Sequence, residues 1–273
     1  MKIAFIGGGN MARSLIGGIV DSGANASDIT VSDPISATAE ALAADFGTRT
    51  AADNTRAVEC SDIIVMAVKP QVMQSVLTPL ASQFADKLMI SVAAGVLSQD
   101  LASWAGAENL AVVRCMPNTP ALLQCGATAL FANSHVNSIQ KQQAETVLSA
   151  AGETAWVEQE TQLDAITALS GSGPAYFFLL MESMVSAAEQ MGLPADLANQ
   201  FAIQTALGAA RMAKEGNDSA AQLRKNVTSP AGTTEAAINS FTADEFNKIV
   251  QRAMQAAEQR ATQLGKELGE KNG

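Results

Sequence analysis

The chain has 273 residues, 48% of them hydrophobic and 16% charged, with a formal net charge of −10. That balance belongs to a globular protein with room for one large or two modest domains, not to a disordered segment. The acidic excess excludes general binding to nucleic acid or to anionic membranes, although backbone N–H groups can still build a local anion site without Lys or Arg. No run of about 18 uninterrupted apolar residues occurs, so no membrane-spanning helix is expected. The chain enters a strand at once, and no signal peptide is expected. Cys60, Cys115 and Cys125 lack Cys-x-x-Cys spacing. They read as reduced thiols of a cytoplasmic protein, not as metal ligands or a disulfide framework, and no metal site is expected.

Residues 2–6 form a short apolar run, followed by Gly7-Gly-Gly-Asn-Met-Ala12 and a helical pattern over 11–20. Strand, G-x-G-x-x-A, helix is the arrangement of a dinucleotide-binding turn. Gly7, Gly9 and Ala12 would shape the turn, and Asn10 and Met11 would offer the first helical N–H groups to pyrophosphate. The second strand, 29–32, ends in Ser32 and Asp33. An acid there bonds the ribose 2′-hydroxyl of NAD and repels the 2′-phosphate of NADP. The competing reading of Asp33 is a solvated turn residue before Pro34. A weak strand segment precedes Asn54.

Further strands are expected at 63–67, 88–91 and 110–115, with helices at 37–44, 71–81 and 98–105, the last capped by Ser98. Such alternation indicates a parallel sheet covered on both faces. Strands at 127–131 and 154–157, flanking a helix at 139–151, extend it at its far edge. Ala67, Val68, Lys69 and Pro70 end the 63–67 strand, and Ala93-Ala94-Gly95 follow the 88–91 strand. Both turns lie at the carboxyl edge of the sheet, where doubly wound folds bind ligands. Lys69 reads equally as a phosphate or ribose ligand and as an ordinary exposed lysine. His135, the single histidine, sits in a polar loop without a nearby acid and reads as merely exposed.

After residue 162 the strand signal disappears. A long apolar helix over 163–191 is expected to break or bend near Gly171-Ser-Gly-Pro174. Helices follow at 195–213, 220–225, 235–240 and 243–268, with Gly192-Leu-Pro194 a turn and Thr242-Ala-Asp-Glu245 a capping box. The division expected is a doubly wound α/β dinucleotide-binding domain, 1–160, and an all-α substrate-binding and dimerisation domain, 161–273. The stretch 165–191 is apolar on most faces, which calls for a subunit interface or the centre of a monomeric bundle. Residues 226–234, Asn-Val-Thr-Ser-Pro-Ala-Gly-Thr-Thr, precede a helical run. Small residues admit a ligand close to the backbone, and the first turn of a helix suits a small anion such as a carboxylate. An ordinary Ser/Thr helix cap is the alternative.

Together, Phe5-Ile-Gly-Gly-Gly-Asn-Met11, Ala67-Val-Lys-Pro70, Ser91-Val-Ala-Ala-Gly95, Met116-Pro-Asn-Thr-Pro-Ala121, Ser170-Gly-Ser-Gly-Pro-Ala-Tyr176 and the block 223–241 resemble the pyrroline-5-carboxylate reductases, which make proline. The resemblance runs the length of the chain. It implies a Rossmann-type domain followed by a helical one, an NADP(H) or NAD(H) coenzyme, a small-molecule imine substrate and a homodimer, with assembly into rings of dimers left open. It places Asn54 against the adenosine half of the coenzyme and Met116, Pro117 and Asn118 against the nicotinamide. It assigns the substrate carboxylate to Ser229 and the amides of Gly232, Thr233 and Thr234, with Ala231 in the same loop. The Thr234 hydroxyl would face the ring nitrogen as hydrogen-bond partner or proton relay. Members of the family carry a small hydroxyl residue where this chain has Asp33 and lean toward NADPH. Asp33 is a departure, and it leads to the expectation that NADH serves at least comparably.

Two other functions compete: another imine or β-hydroxyacid oxidoreductase of the same architecture, and a non-catalytic dinucleotide sensor. Alcohol oxidation usually needs a base. The related 3-hydroxyacid dehydrogenases place a Lys where this chain has Phe177, which disfavours that branch. A sensor needs no second ligand pocket, against which the hydroxyl-rich 226–234 segment speaks.

Overall fold

Ile3–Ile6 and Ile63–Met66 are apolar at every position and buried at every position, as strands covered on both faces must be. The structure, a computed structural model, describes residues 1–270. The strands are β1 (Ile3–Ile6), β2 (Ile29–Ser32), β3 (Arg49–Thr50), β4 (Ile63–Met66), β5 (Leu88–Ser91), β6 (Ala111–Met116), β7 (Gly126–Ala132) and β8 (Gly152–Trp156). They form one sheet of order β3-β2-β1-β4-β5-β6-β7-β8. All neighbours are parallel except β6 and β7, so the far-edge extension expected from sequence begins with an antiparallel step.

Alternate side chains of each strand enter separate cores. Ile3, Phe5, Ile63, Val65 and Ile90 pack with α1 (Asn10–Asp21), α2 (Ser36–Phe46) and α6 (Ser138–Ser149). Ala4, Ile6, Ile64, Met66, Met89 and Val112 pack against α3 (Asn54–Glu59), α4 (Met73–Leu77) and α5 (Ser98–Trp104). Each Ile, Leu or Phe withdrawn from water in this way contributes about 1.5–3 kcal/mol. The strands therefore present their carboxyl ends in one fixed row.

Local differences from expectation have physical causes. Helix α3 was not anticipated; it starts where the Asp53 carboxylate accepts the Arg56 N–H at 2.8 Å. The helix expected over 71–81 is three short pieces, because Pro70 and Pro79 each lack an N–H. Ser98 does not cap α5. It is the helix's first residue, and its N–H and hydroxyl both go to Glu160. The expected capping box at 242–245 does not form. Thr242 lies inside a helix and donates its hydroxyl to the Ile238 carbonyl, and the chain turns at Glu245, whose φ is 53°.

After β8 the chain is helical: α7 (Gln162–Ile166), a π-helical turn (Thr167–Gly171), α8 (Gly173–Gln190), α9 (Ala195–Glu215), α10 (Ala220–Asn226), α11 (Thr233–Ala243) and α12 (Phe246–Glu270). The expected break at 171–174 is thus a widened turn ahead of a fresh helix. Two compact units result. One comprises Met1–Ser172 with the C-terminal stretch from Ala256, and the other is Gly173–Gln255. The division expected at 160 differs on both counts, since Leu163 and Ala168 are buried in the sheet-containing unit and Leu268 joins its core. Within the helical unit, Phe177, Phe178 and Leu179 of α8 are each more than 60% exposed.

Candidate functional site

At the carboxyl end of β1 the chain turns at Gly7, whose φ of +99° favours glycine. A Cβ there would lie 2.7 Å from the Ala67 carbonyl oxygen of the neighbouring strand's end. Gly9 differs. A Cβ on it would meet nothing within 4 Å, so its side is open to solvent or to a ligand. Gly9 is the N-cap of α1, which carries no side-chain cap and no acid in its first turn. The first backbone bond of the helix is Arg13 N–H to Gly9 O. The N–H groups of Asn10, Met11 and Ala12 therefore have no partner within the helix and, with its dipole, favour an anion. A bare glycine edge and three unspent amides fit a pyrophosphate, and these residues would hold it.

The Asp33 carboxylate is fixed between two amides, Oδ2 accepting the Gly8 N–H at 2.8 Å and Oδ1 accepting the Ile35 N–H at 2.9 Å. The second bond is the local turn expected of an Asp just before Pro34. The first ties the charge to the phosphate turn itself. Beside it, the Ser32 hydroxyl donates to Asn54 Oδ1 at 2.7 Å, joining the end of β2 to the start of α3 at the place expected for adenosine ribose. Lys69 is exposed and Ala67, Val68 and Pro70 are half-buried at the end of β4. Ala93 is buried and Ala94 half-buried beyond β5.

Met116, Pro117 and Asn118 follow β6 as expected, but Asn118 is not free to serve a nicotinamide by side-chain bonding. Its Oδ1 accepts the Ala127 N–H at 2.9 Å, and its Nδ2 donates to Ser170 Oγ at 3.2 Å and to the Ser170 carbonyl at 3.3 Å. Asn118 shapes the turn by locking it to β7 and to the π-helical turn. A Cβ on Gly171 would collide with the Met116 methyl, so that glycine is needed for Met116 to lie where it does.

In the helical unit, the loop after α10 is held by its own bonds. Gly232 N–H donates to the Ser229 carbonyl at 3.0 Å, and Ala231, with φ of 58°, gives its N–H to Glu235 Oε2 at 2.8 Å. The Gly232 amide, expected at the substrate carboxylate, is thus already engaged within its own loop, as is the amide of Ala231. Gly232 is the N-cap of α11, without a side-chain cap, and Ala236 N–H is the first to bond back, to Gly232 O. The N–H groups of Thr233, Thr234 and Glu235 are left without a helical partner, next to the hydroxyls of Ser229, Thr233 and Thr234.

A buried polar cluster was not anticipated. Arg114, 4% exposed, donates to Glu160 at 2.9 Å, and Glu160 also accepts the N–H of Ser98 at 2.7 Å and its hydroxyl at 3.0 Å. The signal was present, because a charge inside an otherwise apolar strand must find an acid. Burial raises the nearby Asp100 carboxyl above its usual value; the Leu97 N–H works against this, Glu160 adds to it and Arg114 offsets it. Burial pushes the Cys115 thiol up to about 12, so it stays protonated and is no nucleophile. His135 is exposed.

The family model described as pyrroline-5-carboxylate reductase dimerisation matches residues 160–264, and that described as NADP oxidoreductase, coenzyme F420-dependent, matches 2–95. A pyrroline-5-carboxylate reductase of Pseudomonas aeruginosa is 48% identical over 270 residues, 98% of each chain. The solved pyrroline-5-carboxylate reductase of Coxiella burnetii is 42% identical, covers 98% of each chain and superposes with a TM-score of 0.92. The Plasmodium falciparum pyrroline carboxylate reductase, solved with NADP bound, is 29% identical over 97% of this chain and 98% of its own, with a TM-score of 0.85. With its dinucleotide turn, its helical half and this identity end to end, the chain belongs to the pyrroline-5-carboxylate reductase family.

Proposed function

We infer that the protein reduces the C=N bond of 1-pyrroline-5-carboxylate to L-proline, with a nicotinamide coenzyme as hydride donor. The observation that carries the reading within this family is the pair of uncapped helix N-termini, at Gly9 and at Gly232. The first suits a dinucleotide pyrophosphate and the second a single carboxylate. The coenzyme supplies the hydride. The protein's residues have less to do, since a ring nitrogen protonated near neutral pH already makes its carbon electrophilic. Thr233 and Thr234 N–H groups and the Ser229 hydroxyl hold the carboxylate, which fixes the ring. Thr234 Oγ bonds the ring nitrogen as charge leaves it. Holding the reacting carbons together contributes ~7 kcal/mol or more without any strong acid or base. The exposed His135 and Phe177 fit this economy and disfavour alcohol oxidation.

Asp33 sets the coenzyme balance in this reading. A 2′-phosphate beside a carboxylate at ~4 Å costs about 1 kcal/mol in water and several times that when partly buried. NADH is accordingly used at least as well as NADPH. The working form is a homodimer sealed in part through 165–191. The exposed Phe177, Phe178 and Leu179 on α8 and Phe201 on α9 supply the apolar face, within the matched dimerisation region. Light scattering at micromolar concentration is expected to give at least twice the 28.2 kDa chain mass, and a stable monomer would refute the dimer. The activity is tested by NADH absorbance loss on adding pyrroline-5-carboxylate. A folded protein that binds NADH yet leaves the imine untouched would replace the enzyme with a sensor.

A further inference from the structure

The last helix returns to the sheet-containing unit, where its end meets the turn after β5. Leu268 is buried in the core beneath that turn, among residues that include Val96 and Leu101. Thr262 donates its hydroxyl to Asp164 Oδ2 at 2.8 Å. Between these anchors, Gly265 faces Gly95 backbone to backbone. A Cβ on Gly265 would lie 2.8 Å from the Gly95 carbonyl oxygen, and one on Gly95 would lie 3.2 Å from Gly265 N and 3.3 Å from its Cα. Gly95 also sits at φ +79°, a conformation that favours glycine. Glycine in a helix interior is unfavourable by itself, so its presence at 265 answers to packing.

We propose that Gly265 is a positioning residue for the coenzyme: by lacking a side chain it lets α12 seat against the turn 93–95 and hold that turn at its approach to the bound dinucleotide. This rests on the reading of that turn as part of the coenzyme site. Gly265 touches no reactant. It acts through Gly95, and a methyl group added to the helix must push either the turn or the helix away. Leu268 in the core and the surface bond from Thr262 to Asp164 hold the helix on either side of residue 265, so the turn is what yields.

The test compares Gly265→Ala with Gly269→Ala in the full chain. Helix propensity favours alanine equally at both positions, but a Cβ on Gly269 makes only an ordinary contact, 3.6 Å from Asp100 Oδ2. Gly265→Ala is expected to raise the NADH dissociation constant and KM by about tenfold, with kcat, the KM of the imine and the Tm near wild type, because small displacements of positioning groups are costly to the ligand they serve. Gly269→Ala is expected to match wild type in all four. Wild-type NADH affinity in a folded Gly265→Ala protein overturns the proposal, as does an equal loss in Gly269→Ala. Gly9→Val in the same titration separates the two levels. If it weakens NADH binding and Gly265→Ala does not, only the positioning role falls; if it leaves binding unchanged, the coenzyme site and this inference fall together. Should Gly265→Ala not fold, Leu268→Ala loosens the same helix end from the opposite direction. A coenzyme-selective loss there supports the proposal, and wild-type NADH affinity in folded Leu268→Ala overturns it.

Discussion

The two helix N-termini at Gly9 and Gly232 solve similar problems with different materials. At α1 the turn is packed against β4 and α2, no acid stands in the first turn, and three amides are left for a ligand. At α11 a glutamate occupies the first turn, takes the Ala231 N–H and stiffens the loop, while Ser229 takes the Gly232 N–H. The first is made of backbone amides, which would suit a diphosphate recognised without reference to its substituents. The second has the hydroxyl residues Ser229, Thr233 and Thr234 beside it, which would suit a single carboxylate. Glycine serves different ends in the first of these turns. Gly7 is confined by the fold, whereas Gly9 faces open space.

The largest expected effect breaks that last distinction. Gly7→Val forces a side chain into the Ala67 carbonyl at an unfavourable φ, and is expected to cost ~3 kcal/mol or more and to prevent stable folding. Gly9→Val is expected to fold with a Tm near wild type and to lose ~2 kcal/mol of coenzyme binding, about thirtyfold. Thermal unfolding with NADH fluorescence titration reads both. Equal instability of the two variants would erase the division between fold glycine and ligand glycine.

Next in size, Thr234→Ala is expected to lower kcat by ~10²-fold while leaving the NADH dissociation constant unchanged, because its hydroxyl belongs to the second cradle alone. Binding of proline should survive, since the Thr233 and residue-234 N–H groups persist. Full turnover in the variant would mean that the nitrogen needs no partner from the protein.

A smaller shift is expected at the edge of the first cradle. Asp33→Ser removes a carboxylate held by the Gly8 and Ile35 amides. It should move the NADPH:NADH ratio of kcat/KM toward NADPH by ~1–2 kcal/mol, roughly five- to thirtyfold. A wild-type preference for NADPH above about tenfold, unmoved by the substitution, would show that the carboxylate serves only its turn.

Smallest is Asp100→Asn. The Asp100 carboxyl is raised by burial, so the folded state holds its proton more tightly than the unfolded chain does, and ionisation above the usual carboxylate range weakens the fold. The amide removes that penalty and can still accept the Leu97 N–H. Tm should therefore rise slightly at pH 7 and the gain should vanish as pH falls below the ordinary carboxylate value. A loss of stability at pH 7 would mean that Arg114 outweighs desolvation at this site.

Much of this architecture was legible because burial on both faces leaves a plain trace. Residues 29–32 and 88–91 appear as strands with the expected limits. Helix α3 escaped notice because six residues carry too little periodicity, although Asp53 is a good cap. The dinucleotide turn was readable from glycine spacing, and the 226–234 segment from its crowd of hydroxyls. What spacing does not convey is how each polar group is spent. Asn118 reads as a residue of the coenzyme site, and its side chain also braces the turn between β7 and Ser170. Gly232 reads as an amide donor to the substrate, and its N–H is engaged by the Ser229 carbonyl, while Glu235 takes the neighbouring Ala231 N–H. Those partners depend on φ at Ala231 and on the π-helical turn, neither of which leaves a pattern in the residue order.

The protein is expected to pass a hydride from its nicotinamide coenzyme directly to the imine carbon of 1-pyrroline-5-carboxylate. Incubating the protein with pyrroline-5-carboxylate and NADH deuterated at the transferring C4 position tests it directly. L-proline bearing one deuterium at C5 is expected, formed in step with coenzyme oxidation, and formed far more slowly both by Gly9→Val at limiting NADH and by Thr234→Ala at saturating NADH. Coenzyme oxidation without deuterated proline, or no oxidation at all by a folded dimer, would contradict it.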